Sequence, residues 1–128
     1  MAIAKKKILI VDDESHMRTL LLVALERLEE AGVEFLTASS GAEALKTIQE
    51  EHPDLVLLDV MMPKMSGYEV CEKIKSKFGD IYVIFLTARG QAVDYERELL
   101  ARADECIVKP FDPDEMVSKV ERILGIGS

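Results

Sequence analysis

The chain has 128 residues, 48% of them apolar and 31% charged, a size and balance that suit one compact domain over residues 1–128. Its net charge of −8 argues against direct contact with nucleic acid, because a grip on phosphate backbones needs clustered Lys and Arg and the basic run Lys5-Lys6-Lys7 is short. No apolar run approaches the roughly 20 residues that cross a bilayer, and the N-terminus lacks the longer apolar stretch of a secretory signal, so a soluble cytoplasmic protein away from membranes is expected.

In chain order, Ile8-Leu9-Ile10-Val11 reads as the first strand, and Met17, Leu20, Leu21, Ala24 and Leu28 follow it as a helical stripe. Phe35-Leu36-Thr37-Ala38 is the second strand, with Ala44, Leu45 and Ile48 marking its helix. Leu55-Val56-Leu57-Leu58 precedes a third helix carrying Cys71, Ile74 and Phe78. Val83-Ile84-Phe85-Leu86 leads to a mostly polar helix from Gln91 to Ala101, whose apolar part is Val93, Leu99 and Leu100, the pattern of a lightly anchored helix. Cys106-Ile107-Val108 and the stripe Met116, Val117, Val120, Ile123 and Leu124 close the series. Most of the strands are continuously apolar rather than alternating, as expected of parallel strands covered on both faces. Five strand–helix alternations with short connections predict an α/β, doubly wound (βα)5 three-layer sandwich, flavodoxin-like, with parallel sheet order 2-1-3-4-5.

Ligands of such sheets bind beyond the carboxyl ends of the strands, where the winding reverses. Asp12 and Asp13 follow the first strand, Asp59 ends the third, Thr87 the fourth and Lys109 the fifth. Two carboxylates about 4 Å apart repel by roughly 4 kcal/mol at an effective dielectric of 20, so converging acids call for a cation or a proton. All-oxygen ligation with open positions suits Mg²⁺. A metal there supports phosphoryl chemistry, with Lys109 and the Thr87 hydroxyl on two phosphoryl oxygens and Asp59 as the carboxylate nucleophile. Each residue alone also has a plain reading: Asp12 and Asp13 as helix caps, Asp59 and Thr87 as turn formers, Lys109 as a solvated strand-end lysine. Their conjunction at successive strand ends is what favours a site. His16 and His52 share no such arrangement and read as surface residues. Cys71 and Cys106 match neither a Cys-x-x-Cys nor a zinc spacing and read as small buried thiols.

The segments Ile8-Leu9-Ile10-Val11-Asp12-Asp13-Glu14, Leu57-Leu58-Asp59-Val60-Met61-Met62-Pro63-Lys64-Met65-Ser66-Gly67, Phe85-Leu86-Thr87-Ala88 and Val108-Lys109-Pro110-Phe111 together resemble the receiver domain of two-component response regulators, of the chemotaxis-regulator type. The strand order rests in part on that resemblance. It implies a phosphoryl donor, either a sensor histidine kinase or a histidine phosphotransfer protein, and a downstream output protein or fused effector domain. It further implies Asp59 as acceptor, with Mg²⁺ bound by Asp13, Asp59 and the Met61 carbonyl and with Asp12 acting through a metal-bound water. Thr87 and Lys109 would grip the phosphoryl group, and the Lys109-Pro110 peptide would be cis.

Two positions depart from the family pattern. Cys106 stands where Tyr or Phe is usual, which removes the aromatic reporter of the switch. Arg102 stands where glycine is usual, which predicts a modified helix end. Phosphorylation is expected to draw Thr87 inward and shift the helix at Gln91–Ala101, with that helix, the fifth strand and the last helix as output face. Asp104, Glu115 and Lys119 place both charge signs there, which could support a phosphorylation-dependent homodimer. The protein is not expected to be an enzyme beyond catalysing its own phosphorylation and dephosphorylation: a phosphatase would need an acid two residues past Asp59, where Met61 stands. A receiver-like scaffold that no longer switches is the alternative, kept alive by Cys106. A flavin site lacks its phosphate loop after the first strand.

Overall fold

The computed structural model describes residues 5–88 and 103–126. The described elements are β1 (Lys7–Val11), α1 (Ser15–Leu25) running into a 3₁₀ turn (Glu26–Ala31), β2 (Glu34–Ala38), α2 (Gly41–Glu51), β3 (Leu55–Asp59), α3 (Gly67–Lys77), β4 (Tyr82–Ala88), β5 (Glu105–Lys109) and α4 (Pro113–Leu124). All strand pairings are parallel and the sheet runs β2-β1-β3-β4-β5, the doubly wound order expected. The helix expected at Gln91–Ala101 and the helix end expected at Arg102 lie outside the described residues.

Successive strand residues point to opposite faces, and here both faces are buried. Leu9, Val11, Val56, Leu58, Val83 and Phe85 pack on one side with Ala44 and Ile48 of α2 and Val70, Cys71 and Ile74 of α3. Ile8, Ile10, Leu55, Leu57, Ile84 and Leu86 pack on the other with Leu21 and Leu25 of α1 and Met116, Val117, Val120 and Leu124 of α4. That is why β1, β3 and β4 carry no polar alternation. Each fully buried Leu or Ile contributes roughly 1.5–3 kcal/mol through burial, so the three central strands form the stiff part of the molecule.

Helix starts follow from local chemistry. Ser40 accepts a hydrogen bond from Glu43 N (3.2 Å), Ser66 from Glu69 N (3.3 Å), and Asp112 Oδ1 from Asp114 N (2.9 Å) with Pro113 in the first turn. α1 differs in that its N-cap, Glu14, makes no side-chain capping bond. The α1 stripe also differs from expectation. Leu21, Leu25 and Leu28 are buried, but Leu20 is 50% exposed. The buried line follows four-residue steps through Met17, Leu21 and Leu25 and then tightens into the 3₁₀ turn, which leaves Leu20 on the shoulder.

Charged pairs lock the entry to β5. Asp104 N donates to Val83 O (2.9 Å), Val83 N donates to Asp104 Oδ2 (2.8 Å), and Lys75 Nζ donates to both Asp104 Oδ2 and Ile81 O. One residue on, Glu105 accepts from Lys119 Nζ (2.8 Å) and from the Tyr82 hydroxyl. Burial works against the Glu105 carboxylate, yet the bonds from Lys119 and Tyr82 hold it below its ordinary pKa. Burial and the Glu105 charge together push Tyr82 up to about 12. Asp104 and Lys119 are thus committed within the chain, and of the three charged residues expected on an output face Glu115 is the exposed one without such an ion pair among the described residues.

Candidate functional site

The register places the site. Val11 pairs with Leu58 and Asp59 with Leu86, so Asp12 and Asp59 leave the ends of neighbouring strands. Thr87 pairs with Val108 and Ala88 with Lys109. Strands lie about 4.8 Å apart, so the lysine, two strands from β3, reaches Asp59 only because its side chain is long. The acids, the hydroxyl and the ammonium expected at the sheet edge are all found there.

Asp12 is fully buried and held at each of its polar atoms. Its N–H donates to Ala38 O (3.2 Å), its carbonyl accepts from Arg18 Nη1 (2.7 Å), Oδ1 accepts from Glu14 N (3.0 Å) and Oδ2 accepts from Lys109 Nζ (3.3 Å). The Oδ1 bond to Glu14 N closes an Asx turn ahead of α1, whose N-cap is Glu14, so neither Asp12 nor Asp13 caps the helix as the plain reading had it. Asp59 is 6% exposed. Its Oδ1 accepts from Met61 N (3.3 Å) and lies 3.6 Å from Lys109 Nζ. One ammonium therefore bridges two buried carboxylates.

The loop after Asp59 is drawn tight. Val60 N donates to Leu86 O (3.1 Å), Gly67 N to Val60 O (2.9 Å) and Met65 N to Pro63 O (2.8 Å), while Lys64 takes a left-handed φ of 69°. A Cβ on Gly67 would run into the Asp59 carbonyl and Val60 Cα, which is why glycine stands there. The closure presents the Met61 side chain, 61% exposed, at the mouth of the site. Thr87 is buried at 5% exposure, and the Lys109-Pro110 peptide is cis.

Burial, then the neighbouring Asp12 charge, raises the Asp59 pKa from 3.8 to about 6, against the opposing pull of Lys109 and the Met61 N–H. The group remains mainly ionised at neutral pH and is more basic than an ordinary aspartate. Carboxylate oxygens of Asp12, Asp13 and Glu14 lie within 4.8 Å of one another, Asp12 buried and the other two exposed. Three hard oxygen donors beside the buried Asp59 carboxylate, with Asp13 and Glu14 open to water, fit Mg²⁺. Glu14 and Arg18 were not singled out in the sequence. Glu14 adjoins the acid pair, which is a readable signal, whereas Arg18 bonds a backbone carbonyl and leaves no pattern of residue types.

Cys106 is half-buried opposite Phe85, at the position where an aromatic residue was expected, and Cys71 is buried; neither is in a disulfide. Beside Cys106, a cleft of about 230 Å³ lies between β5 and α4, bordered by Pro110, Phe111, Glu115 and Lys119. His16 and His52 are exposed, and the His52 ring meets Phe78 edge-on at 5.0 Å. No described helix is long and apolar enough to cross a membrane.

The sequence model of the family described as response regulator receiver domain matches residues 8–121. The chain is 48% identical over 124 residues to a protein of Cyanophora paradoxa named probable transcriptional regulator ycf27, covering 97% of this chain and 50% of that one. It is 44% identical over 119 residues to the alkaline phosphatase synthesis transcriptional regulatory protein PhoP of Bacillus subtilis, covering 93% and 48%. The chain thus spans about half the length of the curated relatives it matches. Among solved structures, Vibrio cholerae chemotaxis protein CheY4 superposes with TM-score 0.81 at 30% identity, covering 94% of this chain and 99% of that one. The BeF3-activated DrrB receiver domain superposes with TM-score 0.82 at 32% identity, covering 95% and 99%.

Proposed function

The chain belongs to the response regulator receiver family, and from that premise we propose that it accepts a phosphoryl group on Asp59 from a phosphohistidine. The observation that carries this reading is the buried, basic Asp59 carboxylate facing the Lys109 ammonium beside the acid cluster. In the transfer, an Asp59 oxygen forms a bond to phosphorus as the phosphorus–nitrogen bond of the donor imidazole breaks, and the imidazole nitrogen keeps the electron pair. Lys109 and Thr87 hold two of the equatorial oxygens, and the tight Val60–Gly67 loop keeps Asp59 aimed outward. Asp12, Asp13 and Asp59, together with the Met61 carbonyl, would hold Mg²⁺, which when bound neutralises charge developing on the phosphoryl oxygens.

The donor is a sensor histidine kinase or a histidine phosphotransfer protein, which places the domain in the cytoplasm. Both curated relatives are named as transcriptional regulators, and we infer an output of that class, fused or separate. The charge of −8 leaves any nucleic-acid contact to that output module. The domain is not an enzyme acting on external substrates: Met61, two residues past Asp59, cannot protonate a leaving group. A phosphorylation-dependent homodimer through β5 and α4 would have to form around Glu115 or open the Asp104 and Lys119 pairs.

Incubation with Mg²⁺ and acetyl phosphate, followed by intact mass, tests the reading. Wild type should gain one phosphoryl group only with Mg²⁺, and Asp59→Asn should gain none. Absence of the gain under any condition would leave the non-switching scaffold as the better account.

A further inference from the structure

We propose that Arg18 is a positioning residue for divalent-cation binding, acting through the Asp12 carbonyl to aim the Asp13 carboxylate. The inference rests on the reading above that the Asp12–Asp13 pair holds Mg²⁺.

Asp12 is the last residue of this segment tied to the sheet, through its N–H to Ala38 O. Asp13 comes next, with its side chain in solvent. The peptide joining them is planar, so the direction of the Asp12 carbonyl fixes the Asp13 N–H and the outgoing path of the chain. That carbonyl accepts from Arg18 Nη1 at 2.7 Å. Arg18 sits in the first turns of α1, where its own N–H donates to Glu14 O at 3.2 Å. Its side chain therefore spans back over Asp13 and Glu14 and closes a ring between helix and strand end. Within that ring lie the two exposed members of the acid cluster.

The atom chosen matters. Lys109 takes a carboxylate oxygen of Asp12, whereas the Arg18 bond goes to the backbone and withholds no ligand oxygen from a cation. Arg18 is half-buried, and its permanently charged guanidinium meets the backbone of the first residue of the acid cluster. Two effects of Arg18 on cation affinity thus have opposite signs. As a bare charge it repels Mg²⁺, and its removal tightens binding. As a tether it orders a ligand, and its removal weakens binding. The short directed bond to a carbonyl favours the tether, and supporting contacts of this kind typically change metal affinity 10–100-fold.

Mg²⁺ binding should be measured by titration calorimetry on wild type, Arg18→Met, Arg18→Lys and Asp13→Asn, each first checked for folding by urea unfolding in chelator. We expect Arg18→Met to bind Mg²⁺ about tenfold more weakly and Arg18→Lys, which can still donate to the carbonyl, to recover part of the loss. In acetyl phosphate labelling, the Mg²⁺ concentration for half-maximal rate should rise about tenfold in Arg18→Met while the rate at saturating Mg²⁺ stays at the wild-type level. Unchanged or tighter binding in Arg18→Met would overturn the proposal, as would a fall in the saturated rate with no change in half-saturation. If wild type shows no Mg²⁺ binding that Asp13→Asn removes, the metal reading itself fails and takes the proposal with it.

Discussion

Removing the charge of Asp59 should stabilise the metal-free protein at neutral pH and do nothing near pH 4. The carboxyl is nearly buried, and its pKa rises from 3.8 to about 6 on folding because burial and Asp12 disfavour the anion. The folded state then holds this proton more tightly than the unfolded chain does. Stability from the protonated group is complete below about pH 4, drains away as pH climbs through about 6, and is gone above that. A rise from 3.8 to about 6 corresponds to about 3 kcal/mol, and water at the open mouth of the site screens this to about 1–2 kcal/mol. Asn in place of Asp59 keeps the acceptor for Met61 N–H and carries no charge in either state. Urea unfolding of wild type and Asp59→Asn, in chelator from pH 4 to 8, should show equal stability at the acid end. The gap should open between pH 4 and 6 and reach about 1–2 kcal/mol in favour of the variant above pH 6. Mg²⁺ at about 100 times its dissociation constant adds about 2.7 kcal/mol to a protein that binds it, so at pH 7 it should close or reverse the gap. A gap that does not vary with pH, or wild type the more stable at pH 7 without metal, would refute the reasoning.

Three further perturbations separate the roles of neighbouring residues. Lys109→Met strips the bridging cation from Asp12 and Asp59, so metal-free stability above pH 6 should fall by about 2–4 kcal/mol in urea unfolding, while the labelling rate at saturating Mg²⁺ drops at least about 100-fold. Gly67→Ala forces a Cβ against the Asp59 carbonyl, which should cost about 1–3 kcal/mol in urea unfolding and slow labelling as the loop is displaced. Lys75→Met leaves Asp104 without its ammonium and should cost about 1–3 kcal/mol in the same measurement, with labelling unchanged because the pair lies at the far end of β4 and β5.

The strands were legible because a sheet buried on both faces writes itself as unbroken apolar runs, and Ile8–Val11, Leu55–Leu58 and Val83–Leu86 contain nothing else. The site was legible because parallel topology sends strand ends to one edge, so Asp12, Asp59, Thr87 and Lys109 could be placed by counting. What escaped depends on directions rather than residue types. Leu20 was assigned to the buried stripe of α1, but a four-residue stride ending in a 3₁₀ turn turns it outward. Asp104 and Lys119 read as free surface charges, although Lys75 and Glu105 claim them through contacts that cross 29 and 14 residues. Arg18 touches a carbonyl, which any residue offers, so no spacing could reveal it.

The bonding around the site also decides where a new phosphoryl charge must be absorbed. On the β1 side Asp12 is fixed by Ala38 O, Arg18 and Glu14 N, and on the β3 side the Met61, Val60 and Gly67 amides close the loop over Asp59. Moving either acid would break several hydrogen bonds at about 1 kcal/mol each and disturb strands packed on both faces. Among the described residues Lys109 Nζ meets the two carboxylates it bridges, at 3.3 and 3.6 Å, so it can turn to a phosphoryl oxygen without breaking backbone order. Thr87 ends β4 paired with Val108, where its hydroxyl can turn to a phosphoryl oxygen while the strand stays in register, and the chain to Ala103 follows directly from it. The response should therefore leave the site through Thr87. Thr87→Val, which keeps the shape and removes the donor, should still accept the phosphoryl group while losing any phosphorylation-dependent change in the amide spectrum beyond residue 88. If those shifts persist in the variant, the route through Thr87 is wrong.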